Sequence, residues 1–163
     1  MFRLVLMVLT VAATARCLAG PAAAAAQEST TVEAAGTFFA LSVKDVDVSA
    51  RWYAETFGLT IGRRSTAGDA TSVLLSGKGL EVELIAFHES TLRPSPFGAG
   101  SHERGIVKVG FVVANFEQAL ARLRARDVDV ALGPFPARKG QRTNVLIRDP
   151  EGNLIQLFGG FAK

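Results

Sequence analysis

Residues 38–59 read FFALSVKDVDVSARWYAETFGL, and the fold assignment depends on the pattern in this stretch. Its first part, Phe38–Val43, alternates between two sets of side chains and predicts a strand. Asp45 or Asp47 can cap a following helix, and Gly58 is suited to end it. The apolar stripe of that helix comprises Val46, Ala50, Tyr53 and Phe57. The stretch therefore predicts a strand followed by an amphipathic helix with a buried stripe.

The same order of elements returns in the second half of the chain. Further strands are predicted after the first helix at 59–64, 71–76 and 80–87. In the second half Asn115 and Gln118 have the spacing of a capping box. The apolar stripe that follows comprises Phe116, Ala119, Leu120 and Leu123. The strands around it are predicted at 107–113, 128–132, 143–148 and 154–158. We therefore predict two βαβββ modules, at 37–87 and 105–160, joined by a linker at 88–104.

Alternation along the strands separates two faces of the predicted sheets. One face is wholly apolar, and we expect it to pack against the helices. It comprises Phe39, Leu41, Val43, Val82, Leu84, Ala86, Val109, Phe111, Val113, Ile155 and Leu157. The other comprises Phe38, Ala40, Ser42, Glu81, Glu83, Ile85, Phe87, Lys108, Gly110, Val112, Leu154, Gln156 and Phe158. This mixture of aromatic, small and charged residues favours a ligand cavity, with a half-solvated sheet surface as the alternative.

The N-terminus has the three parts of a secretory signal peptide. A cationic start, Met1–Arg3, precedes the apolar run Leu4–Ala15, and the small residues Ala22–Ala26 provide a cleavage site. The apolar run is shorter than a membrane-spanning helix requires. Residues 1–26 therefore predict a cleaved signal peptide and export to a periplasmic or extracellular compartment, with an uncleaved anchor as the alternative. Residues 27–36 are small and polar and predict a flexible leader.

Composition predicts one packed domain and excludes several classes of function. Apolar residues make up 48% and charged residues 20% of the 163 residues, as is typical of a globular protein. Cys17 is the only cysteine, which excludes a disulfide scaffold and a cysteine-built zinc site. Cleavage after Ala26 removes Arg3 and Arg16, leaving 16 basic against 15 acidic residues. Because no basic block with interleaved aromatics is present, we expect no nucleic-acid partner.

Four segments, in this order and spacing, resemble the vicinal oxygen chelate superfamily, which includes glyoxalase I, bleomycin-resistance proteins and extradiol dioxygenases. They are FFALSVKDVDVSARWYAETFGL (38–59), EVELIAF (81–87), GIVKVGFVVANFEQAL (105–120) and DPEGNLIQLF (149–158). The resemblance identifies residues 37–163 as a glyoxalase/bleomycin-resistance-like domain. It implies an α+β fold in which the mixed sheets of two βαβββ modules curl into a cup, with the helices on the outer face. It also implies a homodimer.

Enzymes of this superfamily commonly hold a divalent metal with side chains from four strands. The resemblance places those positions at Phe38, Glu83, Lys108 and Gln156. Only Glu83 retains a ligand type of the family, because Phe38 has no donor atom and the Lys108 ammonium repels a cation. Gln156 offers one neutral carbonyl oxygen. Since a catalytic transition-metal site usually needs three protein ligands, we expect no metal cofactor, with a divalent metal as the alternative.

Other catalytic arrangements are not evident in the sequence. His88 and His102 fall at the edges of the linker, where surface loop residues are expected. The chain has no nucleophile elbow, no phosphate-binding glycine loop and no recognisable Ser/His/Asp set. General-base catalysis would have to use Glu81, Glu83 or Lys108. No catalytic residue is therefore assigned.

Lys108 and Glu83 suggest a sharper hypothesis. If both project into the cup, they form a buried pair where the metal of the family would lie, and Lys108 can orient a carboxylate or another oxygen-rich ligand. A partly hydrated ion pair without a ligand is the alternative. With aromatic walls added, the candidate ligand-binding residues are Phe38, Glu83, Phe87, Lys108, Gln156 and Phe158.

The sequence thus favours an exported protein that binds a small molecule without a metal. Two other interpretations remain open at this point. One is a metal-dependent lyase, isomerase or dioxygenase of the same superfamily. The other is a structural or interaction domain with a filled cup.

Overall fold

The computed structural model describes residues 35–91 and 105–161, and each range holds one module. Module one comprises β1 (Thr37–Ser42), α1 (Val46–Phe57), β2 (Thr60–Ala67), β3 (Ala70–Gly77) and β4 (Leu80–Phe87). Module two comprises β5 (Val109–Val112), α2 (Phe116–Ala125), β6 (Val130–Phe135), β7 (Arg142–Arg148) and β8 (Leu154–Phe161). The predicted signal peptide, most of the leader and His102 lie outside the described residues. The predicted βαβββ order is confirmed in both modules.

Both helices begin after predicted cap residues, and α1 ends at the predicted glycine. The Asp45 Oδ1 atom accepts hydrogen bonds from the backbone N–H groups of Asp47 (2.8 Å) and Val48 (3.1 Å), so Asp45 is the cap of α1. These two hydrogen bonds stabilise the charged carboxylate and so lower the pKa of Asp45. The hydrogen bond from the Val48 N–H contributes most to this shift. Gly58 ends α1 with a φ of 68°, a conformation that glycine adopts without strain. Asn115 caps α2 by accepting from the Gln118 N–H at 3.0 Å.

Each module forms one four-stranded mixed sheet. The strand order is β1-β4-β3-β2 in sheet one and β5-β8-β7-β6 in sheet two. The first strand of each module pairs in parallel with the last, and the other neighbours are antiparallel. No described strand pairs with the outer edges of β2 and β6. Both sheets are therefore open and uncurled, whereas the resemblance implied curling into a cup; the α+β class is confirmed.

One hydrophobic cluster spans both modules. All eleven residues of the predicted apolar face belong to this cluster or pack against it. Tyr53 is 0% exposed, as expected for a residue of the apolar stripe of α1. At the junction of the modules the rings of Phe39 and Phe111 stack with their centroids 5.8 Å apart, and Phe57 contacts the Phe111 ring at 5.3 Å. The edge strands β1 and β5 therefore meet over shared aromatic packing.

Polar contacts also join the modules, at the turn before β8. The buried carboxylate of Asp149 accepts a hydrogen bond from the Tyr53 hydroxyl at 2.9 Å. The same carboxylate accepts from the backbone N–H groups of Glu151 (3.0 Å) and Asn153 (2.8 Å) and from the Asn153 side chain (3.0 Å). The Lys44 N–H donates to Glu151 at 2.9 Å. The turn thus holds the start of α1 against module two.

Within residues 35–91 and 105–161, neither helix combines the length and the apolar character needed to cross a bilayer.

Candidate functional site

The sheet surface that points away from the core carries the candidate site, and we call it the open face. Register and alternation place its residues side by side on neighbouring strands. On sheet one the open face comprises Phe38, Ala40, Ser42, Ser72, Leu74, Glu81, Glu83, Ile85 and Phe87. On sheet two it comprises Gly110, Val112, Asn144, Leu146, Gln156 and Phe158. None of these residues belongs to the core cluster.

Two polar positions are equivalent in the two sheets. On sheet one Glu83 lies between Ala40 of β1 and Leu74 of β3. On sheet two Gln156 lies between Gly110 of β5 and Leu146 of β7. Each polar side chain is therefore flanked on its own sheet by small or apolar neighbours.

Three large apolar side chains of the open face are exposed, whereas Leu146 on the same face is only 5% exposed. Phe38 is 57% exposed, Phe87 41% and Val112 67%. Exposed aromatic and aliphatic side chains on a sheet face are suited to contact a ligand or another protein. The open face therefore has the character of a contact surface rather than of a polar sheet face.

Phe158 is positioned by the absence of a side chain on the neighbouring strand. The Phe158 ring lies over Gly110, where a Cβ would be only 3.1 Å from the ring. Phe158 is half-buried as a result. It is next to Gln156 on the same face of β8, so an aromatic surface and an amide lie together.

Gln156 is held in a hydrogen-bonded arrangement and is only 7% exposed. Its Nε2 group donates to Asn144 Oδ1 at 2.9 Å. Asn144 in turn donates from Nδ2 to the backbone carbonyl of Arg142 at 3.1 Å. Asn144 belongs to none of the sequence motifs described above. The only signal available is that β7 alternation puts it on the same face as Gln156, and many surface asparagines share that pattern.

The hypothesis of a buried Lys108–Glu83 pair is wrong. Lys108 is exposed and lies just before β5, whereas Glu83 is partly buried on β4. The ion pairs of the described residues are Arg64–Asp47, Arg126–Glu55 and Arg148–Asp129. The ammonium stays in water because the open sheets do not enclose it, so it escapes the cost of desolvation.

The four metal-ligand positions of the family do not fit a metal here. Phe38 and Glu83 lie on sheet one and Gln156 on sheet two, whereas Lys108 precedes β5 and lies outside the strands. Within the described ranges, no three His, Cys, Asp or Glu side chains lie close enough together to hold a metal ion. Gln156 has only its neutral Oε1 to offer, because its Nε2 group donates to Asn144. Glu83 alone supplies a carboxylate, which is too few ligands for a catalytic centre.

The remaining candidates lie at the margins of the site. Phe87 ends β4 opposite Ala70 and marks one border of the open face. His88 follows it, is exposed, and donates its backbone N–H to the Asp69 carbonyl at 2.8 Å. This is the surface position that the sequence predicted for His88.

A known protein family matches the part of the chain that contains both modules. Residues 37–157 match the model of the Glyoxalase/Bleomycin resistance protein/Dioxygenase superfamily. The chain belongs to this superfamily. The match covers both modules and ends within β8, so it includes every strand of the open face. No protein with a curated function matches the sequence.

Solved structures of the superfamily share this fold at low sequence identity. A glyoxylase/bleomycin resistance protein/dioxygenase domain from Frankia sp. EAN1pec is 17% identical, with a TM-score of 0.63 over 80% of this chain and 93% of that chain. Glyoxalase I of Leishmania major is 20% identical, with a TM-score of 0.58 over 79% and 87%. A fosfomycin resistance protein from Listeria monocytogenes is 16% identical, with a TM-score of 0.61 over 80% and 95%. These similarities establish the fold of this superfamily member.

Proposed function

We propose that this superfamily member binds a small, largely apolar organic molecule on the open face and does so without a protein-held divalent metal. The observation that carries the proposal is the exposure of Phe38, Phe87 and Val112 on a face that also holds two flanked polar groups. Aromatic and aliphatic surface supplies most of the binding energy of such sites, and a few polar groups set the orientation of the ligand.

The polar groups divide the open face into two ends. Glu83, on sheet one, provides a carboxylate that pairs with none of the basic side chains in the described ranges. Gln156, on sheet two, provides a neutral amide. A ligand that contacts the aromatic residues therefore meets a negative charge at one end and an uncharged hydrogen-bonding group at the other.

The site is tested by matched substitutions of exposed apolar residues. A panel of small aromatic compounds is titrated into purified protein by NMR, and compounds that shift open-face signals are kept. Phe38→Ala should weaken their binding by about fivefold or more, because an aromatic contact is lost. Ile61→Ala is the control, since Ile61 is 48% exposed but lies on β2 outside the open face. Equal effects of the two substitutions would place binding elsewhere.

Metal independence is tested separately. Elemental analysis of the purified protein should give well under one divalent ion per chain, and chelator should leave the binding of panel compounds unchanged. Stoichiometric nickel, zinc, iron or manganese, with binding or activity lost to chelator, would instead favour a metal-dependent lyase, isomerase or dioxygenase.

Export is part of the proposal and rests on residues 1–26. A mature chain that begins at Gln27 is expected in the periplasmic or extracellular fraction of a host that cleaves signal peptides. Intact mass spectrometry of that fraction measures the new N-terminus. If only the full-length chain is recovered, and only in the cell fraction, cleavage is contradicted.

Self-association is proposed on the same apolar surface and by resemblance to the superfamily. The exposed open-face residues are suited to contact a second copy as well as a ligand. Light scattering coupled to size-exclusion chromatography should give the mass of a homodimer. A monomer mass at all concentrations tested would contradict this part of the proposal.

A further inference from the structure

The Arg142 carbonyl, the Asn144 amide and the Gln156 amide form a chain of hydrogen bonds, and the carbonyl fixes the direction of each bond. The backbone carbonyl of Arg142 can only accept a hydrogen bond. Asn144 must therefore turn its NH₂ group toward that carbonyl, as the 3.1 Å contact shows. The Oδ1 atom of Asn144 then faces Gln156 at 2.9 Å, and only the NH₂ group of Gln156 can donate to it. The orientation of both amides is thus determined by one backbone carbonyl.

The acceptor oxygen of Gln156 is left available. Its Oε1 atom accepts no hydrogen bond from any described residue. The fully enclosed polar side-chain atoms without a partner in the described ranges are Ser49 Oγ and Thr56 Oγ1, and Gln156 Oε1 is not one of them. Gln156 Oε1 is therefore not a fully enclosed atom, although the side chain as a whole is only 7% exposed.

We infer that Asn144 is a specificity-determining positioning residue, which keeps Gln156 Oε1 as an acceptor on the open face so that the site selects ligands carrying a hydrogen-bond donor. The inference rests on the proposed function, because it specifies the ligand of that same face. A freely rotating amide would present a donor and an acceptor equally well. An amide held by Asn144 presents the acceptor, so a ligand with N–H or O–H at its edge is preferred over one without.

The surroundings of Gln156 favour a neutral donor on a flat apolar body. Phe158, the next residue on the same face, offers an aromatic surface over Gly110. Lys108 is exposed just before β5, two residues before Gly110, and a positive charge there disfavours a cationic ligand group. The carboxylate of Glu83 lies on the other sheet. The ligand class is therefore a planar, apolar molecule with an uncharged N–H or O–H donor.

Indole and benzofuran test this inference, because they have nearly the same shape and differ in one group. Indole carries an N–H donor where benzofuran carries an ether oxygen. Each is titrated into ¹⁵N-labelled protein, and dissociation constants are taken from open-face backbone signals and from the side-chain NH₂ signals of Asn144 and Gln156. Indole should bind about fivefold more tightly than benzofuran, the value of one ordinary hydrogen bond.

Three variants separate positioning from general stability. Gln156→Met removes the acceptor and should bring the ratio of the two dissociation constants to one. Asn144→Leu releases the amide and should do the same while benzofuran binding is retained. Thr143→Val is the matched control, because it removes a hydrogen bond of β7 to the Phe135 carbonyl (2.9 Å) and should leave the ratio unchanged.

The titrations separate failure of the inference from failure of the proposed function. Equal affinity of the wild-type protein for the two compounds, or a ratio that survives Gln156→Met, overturns the inference and leaves the proposed function standing. A merely structural Asn144 would weaken both compounds equally, which also overturns the inference. If neither compound binds saturably, the inference fails together with the proposed binding of flat aromatic molecules. If Asn144→Leu does not fold, a ratio that survives Gln156→Met still overturns the inference.

Discussion

Tyr53 and Asp149 form a buried polar contact between the modules. Tyr53 is 0% exposed and Asp149 is 6% exposed, and the hydroxyl and carboxylate are 2.9 Å apart. A buried carboxylate is costly unless donors surround it, and here the Tyr53 hydroxyl joins three donors from the turn itself. The apolar stripe of α1 predicted that Tyr53 is buried, but not that its hydroxyl has a partner 96 residues away.

Removing that hydroxyl tests its contribution to stability. Tyr53→Phe leaves the ring in place but takes one donor from the Asp149 carboxylate, so the free energy of unfolding should fall by about 1–3 kcal/mol. Urea denaturation measures the change. Val48→Ala, at a 45% exposed position of the same helix, is the control and should change stability little. An unaltered midpoint for Tyr53→Phe would show that the contact contributes nothing.

Tyr53 also makes the free energy of unfolding of the protein fall at alkaline pH. Burial, and then the charge of Asp149, raise the pKa of Tyr53 far above its ordinary value of 10.0. Because the unfolded tyrosine loses its proton first, the stability from this group is complete below pH 10.0 and is lost as the pH rises further. Tyr53 is the only tyrosine, so tyrosinate absorbance should appear only as the protein unfolds. Tyrosinate absorbance of the folded protein near pH 10.0 would contradict this.

Packing of α2 on β8 depends on one of two adjacent glycines. A Cβ on Gly159 would lie 2.5 Å from Thr143 Cγ2 and 2.7 Å from Phe116 Cβ, whereas a Cβ on Gly160 would have nothing within 4 Å. Gly159 therefore allows the first turn of α2 to approach the sheet closely. In the sequence the two glycines are indistinguishable, since only the neighbouring elements make one of them essential.

Alanine at each glycine separates the two roles. Gly159→Ala should destabilise the protein by about 1–3 kcal/mol through overpacking, because Thr143 and Phe116 both have to shift. Gly160→Ala is the matched control, with the same chemical change and open space around it. Thermal or urea denaturation of both variants measures the difference. Similar midpoints for the two would show that α2 and β8 adapt at no cost.

The two modules share one hydrophobic core. The cluster includes buried residues of both sheets and both helices, and the Phe39–Phe111 stack lies at their junction. Such sharing makes the unfolding of one module expose apolar surface of the other. Residues 35–91 and 105–161 are therefore expected to unfold as one cooperative unit.

Truncation at the junction tests this cooperativity. Phe111→Ala should lower the free energy of unfolding by about 3 kcal/mol. The unfolding midpoint should shift equally whether it is followed by Trp52 fluorescence in module one or by amide signals of β7 in module two. Val112→Ala, on the same strand but 67% exposed, should shift neither by much. Two separate transitions would show that the modules are independent.

The local patterns of the chain were sufficient to predict the order of strands and helices. Alternation, helical spacing and the caps at Asp45 and Asn115 act between residues close in sequence, so they predicted the strand and helix order. Strand limits were less accurate. The strand predicted at 59–64 extends to Ala67, because the β2–β3 hairpin pairs as far as Ala67 and Ala70. Cross-strand pairing of this kind depends on the partner and is not encoded in one strand alone.

The candidate site was predicted in part. Alternation correctly put Phe38, Glu83 and Gln156 on the face away from the core. The predicted pairing of Lys108 with Glu83 was wrong. Alternation predicts only which face of its own sheet a residue lies on, and it does not predict that charges from two modules come into contact. Asn144 was overlooked because its importance comes from the carbonyl of Arg142 and the amide of Gln156.

Periodicity and capping, which act over a few residues, already specified an α+β chain of two βαβββ modules and named its core. Contacts between distant residues decided the rest: that the sheets stay open, that Tyr53 donates to Asp149, and that Gln156 donates its NH₂ group to Asn144. The physical reason is range. Backbone conformation follows from neighbouring side chains, whereas burial, hydrogen-bond direction and the separation of charges exist only after the chain has folded.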